Sequence, residues 1–279
     1  MKRTFAVIGG DSRQAELARL LERNGHPVVT FALGLFSDRP LEEAAQADVL
    51  VLPLPLSREA GLLNCRESVE LEKLWRLLRP EQILCGGQIS PEVRASAGAY
   101  GLQPEDYFLR EELMVANAVP TAEGALQIAM EKLPVTLCGS ECLVLGYGRI
   151  GRLLAQRLHA LGAKVTVAAR KYGARAWADA FGWKSLPMDR LSGCLGDIQA
   201  VFNTAPSLIL DSTLLAELPS DCLCIDLASE PGIDFTAAEQ LGLKTVWARG
   251  LPGKAAPVTA AAAIRDALYH ILEERGEPV

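Results

Sequence analysis

Short, almost wholly apolar runs recur along the chain. Each is followed by a turn and then by a stretch with apolar positions three or four apart. That alternation predicts buried parallel strands joined by crossover helices. In the first half the strands are residues 4–8, 27–31, 47–52 and 82–85. A helix follows the first strand to about Asn24 and closes at Gly25, and another covers 69–78. Ser90 caps a third helix, with Pro91 at its first position. Residues 107–119 read as a connector, and Pro120 as the start of a helix leading into the second half. There the strands are 143–145, 164–169, a weak one near 184–186, 198–202, 221–227 and 243–247. A helix at 174–181 follows the second of these. Thr259 reads as the N-cap of a last helix that buries Ile264, Ala267, Leu268, Ile271 and Leu272 and stops at Gly276. The expectation is an α/β protein of two parallel-sheet domains. Residues 1–118, joined by the terminal helix 259–279, form a smaller flavodoxin-like substrate domain, and 119–258 form a Rossmann dinucleotide-binding domain.

Residues 142–162 carry the most specific signal. An apolar strand runs into Gly146-Tyr147-Gly148-Arg149-Ile150-Gly151, and a helix follows with Ile150, Leu153, Leu154, Leu158 and Leu161 on one stripe. A glycine-rich turn between a core strand and a surface helix is the plainer reading. The strand–turn–helix context favours the G-x-G-x-x-G dinucleotide fingerprint. Gly146 permits the tight turn, Gly148 lets a pyrophosphate approach the backbone, and Gly151 lets helix and strand pack closely. The helix start then faces the phosphates with free N–H groups and its dipole. A site for NAD would place Asp or Glu about 20 residues beyond the glycines, on the ribose 2′-hydroxyl. Here the strand ends in Ala169, Arg170 and Lys171, with Arg175 close behind. A guanidinium can bind a 2′-phosphate that an acid would repel, so the expected cofactor is NADP(H). Asn203, Thr204 and Ala205, and then Ala228 and Ser229, end later strands and are expected along the same crevice.

Composition narrows the class. The 279 residues suffice for two cores, and the net charge of −6, with scattered basic residues, argues against nucleic acid. Apolar stretches are strand-length, so no membrane span is expected, and an N-terminus that enters a strand at once suggests a cytoplasmic protein. With seven Cys, no C-x-x-C, and His only at 26, 159 and 270, neither a metal site nor a disulfide is expected. Cys222 and Cys224 share one strand face as small buried hydrophobes. In the first domain, ligands of an open parallel sheet meet the carboxyl ends of strands, which nominates Asp11, Arg13, Gln14, Ser57, Gln88 and Ser90 as substrate contacts. Capping and solvation are equally good readings of each.

Six motifs stand together: V-I-G-G-D-S-R-Q, P-T-A-E-G, V-L-G-Y-G-R-I-G, N-T-A-P-S-L-I-L, I-D-L-A-S-E-P-G and G-L-P-G-K-A-A-P-V-T-A. Spread over nearly the whole chain, they closely resemble the A-subunit family of the dipicolinate synthases. The resemblance implies NADP-dependent oxidation of dihydrodipicolinate to dipicolinate (pyridine-2,6-dicarboxylate) in the mother cell of a sporulating bacterium. It also implies a partner, the flavoprotein B subunit. The residues are compatible with that chemistry. Asp11 or Glu123 is the candidate general base, with water as the alternative, since no His lies in a motif. Arg13, Lys254 and the loop 250–259 with Thr259 are candidate carboxylate contacts, clamping the substrate between the domains. Two alternatives remain: a regulatory subunit that binds NADP(H) without catalysis, and another NADP-dependent dehydrogenase of a small acid. A homo-oligomeric state is open.

Overall fold

The apolar runs are strands in a computed structural model of the chain, which describes residues 3–277. Two units emerge. One is the chain up to Asn117 together with the segment from Ala256 onward, and the other is Ala118–Ala255.

The first unit begins β1 (Phe5–Ile8), α1 (Ser12–Arg23), β2 (Val28–Phe31), α2 (Leu41–Ala44), β3 (Val49–Val51) and α3 (Leu71–Leu77). It continues with β4 (Ile83–Gly86), α4 (Pro91–Gly98), β5 (Glu105–Asp106) and the start of α5 (Glu111–Lys132). The sheet is parallel throughout, in the order β2-β1-β3-β4-β5 of a flavodoxin-like domain. Because side chains alternate along a strand, β1 sends Ala6 and Ile8 to one face and Phe5 and Val7 to the other. Leu74 and Trp75 of α3 cover the first face, and Leu17 and Leu21 of α1 cover the second.

The second unit holds β6 (Glu141–Leu145), α6 (Arg149–Ala160), β7 (Lys164–Ala169), α7 (Tyr172–Ala180), β8 (Lys184–Pro187) and β9 (Ala200–Asn203). After these come α8 (Ser212–Leu215), β10 (Leu223–Asp226), α9 (Phe235–Gln240), β11 (Lys244–Trp247) and α10 (Leu251–Ala255). Its six-stranded sheet runs β11-β10-β9-β6-β7-β8, the Rossmann order, with every pair parallel. The last helix, α11 (Pro257–Glu274), returns to the first unit. Its Ile264, Ala267, Leu268, Ile271 and Leu272 are all buried against α1 and the Phe5 face of the first sheet. No helix among the described residues is long and apolar enough to cross a membrane.

Two stretches depart from the sequence expectation. Residues 107–119 are not a plain connector: a 3₁₀ turn at Tyr107–Leu109 leads into α5, which starts at Glu111 and carries Pro120 inside it. An interior proline forfeits one helix bond and costs about 3 kcal/mol in isolation. Here Leu113, Asn117 and Ala118 are buried before it and Ala122, Ala125 and Ala129 after it, and that packing outweighs the loss. The segment 250–259 is not a glycine-rich loop either. Residues 251–255 form α10, and α11 is capped by Ala256 with Pro257 in its first turn, so Thr259 is an exposed helical residue rather than the N-cap. Pro257 is already set for the first helical position, and the buried stripe starts directly after it at Ala260 and Ala261. The short elements α2, β5, α8 and α9 had no periodicity long enough to read.

Candidate functional site

In the second sheet the strand order reverses between β6 and β9, and the crevice outside their carboxyl ends is where such a sheet takes a ligand. Three glycines shape it in three ways. Gly146 has φ +94°, and a Cβ on it would meet Thr204 Oγ1 at 2.5 Å. A Cβ on Gly151 would overlap the Gly146 carbonyl oxygen and come within 3.3 Å of Thr204 Oγ1. Gly148, the N-cap of α6, has open space where a Cβ would go. Gly146 therefore makes the turn and leaves room for Thr204, Gly151 seats helix on strand, and Gly148 leaves bare backbone at a helix N-terminus, where an anion can approach. Thr204 locks the turn from the other side: its N–H and its hydroxyl both donate to the Leu145 carbonyl, at 2.8 and 2.9 Å.

Beneath the crevice lies a buried polar hub. Asp226, fully buried at the end of β10, accepts from the Asn203 amide (2.8 Å), the Ala228 N–H (3.0 Å) and the Gly232 N–H (2.7 Å). Among the described residues no cation pairs with it, so these three donors offset its desolvation. Asn203 also closes on Ala205, donating to its carbonyl at 3.0 Å and accepting from its N–H at 3.1 Å. The loops after β9 and β10 are thereby tied to one carboxylate. At the end of β7, Arg170 and Lys171 are exposed and carry no side-chain partner among the described residues. Arg175 reaches back from α7, donating to the carbonyls of Ala169 (3.0 Å) and Arg170 (3.2 Å).

In the first sheet the order reverses between β1 and β3. Gly9 and Gly10 both have positive φ, and Asp11 then caps α1 in a capping box with Gln14. Arg13 is only 8% exposed. Its Nε donates to Asp11 Oδ1 at 2.9 Å, and its Nη2 donates to Asp11 Oδ2 and to the Leu54 carbonyl, each at 2.7 Å. Burial alone would raise the Asp11 carboxyl. The hydrogen bonds and charge of Arg13, with the charge of Arg58, outweigh burial and hold it below the ordinary carboxylate value. Gln14 is fully buried 3.5 Å from the Tyr107 hydroxyl, which donates to the Leu52 carbonyl at 2.9 Å. Asp106 gathers the loop after β4, accepting from the N–H groups of Gln88 (3.0 Å), Ile89 (2.8 Å) and Phe108 (2.9 Å).

Comparison with known proteins places this architecture. The family model for the N-terminal domain of the dipicolinate synthase A subunit matches residues 4–108. The dipicolinate synthase A subunit of Bacillus subtilis (strain 168) is 32% identical, over 97% of this chain and 96% of the relative. The chain belongs to the A-subunit family of the dipicolinate synthases. The crystal structure of the dipicolinate synthase A subunit from Bacillus halodurans superposes with a TM-score of 0.87 at 30% identity, covering 97% of both chains. A transhydrogenase from Sinorhizobium meliloti shares the fold alone, with a TM-score of 0.73 at 15% identity over 98% of this chain and 94% of that one.

Within this dipicolinate synthase A-subunit fold, the residues nominated from sequence fall into three groups. The glycine turn, Thr204, Ala205 and the Ala228 N–H gather at the second crevice, and Ser229 stands exposed beside them. Asn203 is nearby but spent inside, its amide turned to Asp226, so it positions the loop rather than presenting a side chain to a ribose. Asp11, Arg13 and Gln14 share the turn after β1, but both Asp11 oxygens are engaged by Arg13, which makes Asp11 a weak base. Ser57 donates to the Glu59 carbonyl at 2.6 Å and Ser90 caps α4, so both serve their own loops. The third group lies on helix surfaces: Glu123 is exposed on α5 with Arg157 at 3.4 Å, Lys254 is exposed on α10, and Thr259 is exposed on α11. The histidines pack on aromatic rings (His26 and His159) or face Glu112 at 3.3 Å (His270). Cys222 and Cys224 are free and fully buried. The sequence motifs do not single out Asp226, Asp106 or Tyr107. The signal for Asp226 was present, since a carboxylate ending an otherwise apolar strand needs donors.

Proposed function

We propose that this chain binds NADP(H) and oxidises dihydrodipicolinate to dipicolinate, as the A subunit working with a flavoprotein B subunit. The observation that carries the cofactor is the end of β7, where two exposed cations without side-chain partners, Arg170 and Lys171, stand where an NAD site would hold an acid. The bare backbone at Gly148 fits a pyrophosphate, and the locked turn between Gly146 and Gly151 holds it in place. Bound NADP⁺ would supply the hydride acceptor, and the substrate ring would lose that hydride and one proton as it becomes aromatic. The chain's own task is then to hold the ring, and a solvent water takes the proton, given the engaged state of Asp11 and the surface position of Glu123. The A-subunit designation of the Bacillus subtilis relative supports the partner.

Titration calorimetry tests the cofactor. The unaltered chain is expected to bind NADPH more tightly than NADH, and Arg170→Asp to weaken NADPH at least tenfold, about 1.4 kcal/mol, with little change for NADH. Equal affinities in the unaltered chain would overturn the NADP assignment. Activity is read for the chain alone and after co-expression with the flavoprotein subunit. Arg13 is the substrate contact proposed on the first unit. Its Nε and Nη2 are taken by Asp11 and the Leu54 carbonyl, which leaves Nη1 to donate to one substrate carboxylate. Arg13→Ala is expected to raise the KM for dihydrodipicolinate by one to two orders of magnitude, about 2 kcal/mol, without weakening NADPH. An unchanged KM in a variant that still unfolds cooperatively removes Arg13 from the site.

A further inference from the structure

We infer that Tyr172, backed by Arg175, is the platform on which the adenine ring of the dinucleotide stacks. This rests on the NADP(H) reading above and extends it to a part of the ligand that the glycine turn and Arg170 do not touch. The adenine and the 2′-phosphate hang from the same ribose, so a phosphate held at Arg170 brings the base to the residues immediately following. Tyr172 is two positions on, the first residue of α7, and is 84% exposed. A ring of that size is ordinarily buried for its area. One face of this one lies under the Arg175 guanidinium, 4.6 Å from the ring centroid. That guanidinium is fixed in turn by its bonds to the Ala169 and Arg170 carbonyls. The ring is thus pinned from behind to the strand end that carries the phosphate-binding cations, with its remaining surface open to solvent.

Neighbouring aromatics behave differently. Trp177, Phe181 and Trp183 stack on one another, with centroids 5.9 and 5.0 Å apart, and so satisfy their own faces. Tyr172 has no ring partner among the described residues, only the cation. A pinned aromatic beside a phosphate site has the two things base stacking needs: a π-face, and little freedom left to lose on binding. Arg175 adds a third positive charge close to the 2′-phosphate, so its removal should loosen both the platform and the electrostatics.

The test is titration of the full chain with 2′,5′-ADP, which carries the adenine and both phosphates but no nicotinamide. Tyr172→Ala is expected to weaken 2′,5′-ADP about tenfold or more, while Tyr172→Phe, which keeps the ring, stays within about twofold. Arg175→Ala should fall between the unaltered chain and Tyr172→Ala. Because Tyr172 is exposed, thermal unfolding of the two Tyr172 variants should match the unaltered chain. If the unaltered chain fails to bind 2′,5′-ADP, the cofactor reading and the platform fall together. If it binds and Tyr172→Ala binds equally well, the platform is wrong and the cofactor reading stands. If Tyr172→Phe is as weak as Tyr172→Ala, the hydroxyl and not the ring is the contact, which also overturns stacking.

Discussion

Gly151→Ala and Gly148→Ala are expected to fail in different ways, although they lie in the same turn. A methyl group at position 151 would overlap the Gly146 carbonyl oxygen, a backbone atom that cannot rotate away, and would crowd Thr204 Oγ1 as well. Helix α6 would have to lift off β6. Overpacking of this kind costs about 1–3 kcal/mol, and the displaced helix start would no longer present its N–H groups to a pyrophosphate. Gly151→Ala should therefore lower the midpoint of urea unfolding and weaken NADPH by about two orders of magnitude. Gly148→Ala meets nothing within the protein and its φ of −82° suits any residue. Its unfolding should shift by less than about 1 kcal/mol, with the loss appearing in NADPH affinity alone because the new methyl stands where the ligand approaches. Should both variants keep full affinity for NADPH, the glycine turn is only a packing device.

That contrast marks how far the sequence was legible. The spacing of Gly146, Gly148 and Gly151 between an apolar run and an amphipathic stripe identified the turn: Gly146 has the positive φ of a tight turn, Gly151 seats the helix on the strand, and Gly148 has open space where a Cβ would go. The central strands β1, β3, β4, β6, β9 and β10 were readable because they are buried on both faces, whereas the two-residue edge strand β5 was not. The stripe of Ile264, Ala267, Leu268, Ile271 and Leu272 was readable too, and it packs on the first unit. Local rules failed where tertiary burial overrode them. Pro120 signalled a helix start, but buried residues on both sides carry α5 straight through it. Thr259 has the chemistry of a cap, yet Pro257 and the alanines after it begin the helix earlier. Side-chain engagement was not readable at all. Nothing in D-S-R-Q says that Arg13 folds back onto Asp11 and the Leu54 carbonyl, a residue brought near only by the β1–β3 pairing. Likewise Asn203 and Asp226 are far apart in sequence, and only the β9–β10 register sets them side by side.

Asp226→Ala is expected to be the most destabilising single change in the second unit. The substitution removes the acceptor for three donors at once: the Asn203 amide, the Ala228 N–H and the Gly232 N–H. Each buried donor left unsatisfied costs about 1–3 kcal/mol, and Gly232 has no room to move, since Asn203 lies so close that a Cβ there would overlap its amide nitrogen. A loss of about 4 kcal/mol is expected in urea unfolding, a large part of the stability of an ordinary domain. Asp226→Asn is nearly isosteric, yet its amide nitrogen must point at a donor whichever way it turns, so it should lose about 2 kcal/mol. Asn203→Ala removes one of the three donors and one end of the Ala205 brace. In the double variant Asp226→Ala/Asn203→Ala the two losses should fall short of their sum by about 1 kcal/mol, because they share one bond. NADPH affinity should decline in Asp226→Asn even at temperatures where it is fully folded, since the loops after β9 and β10 lose their common anchor. Additive losses in the double variant, or an Asp226→Asn chain as stable as the unaltered one, would show that the carboxylate does not hold these loops.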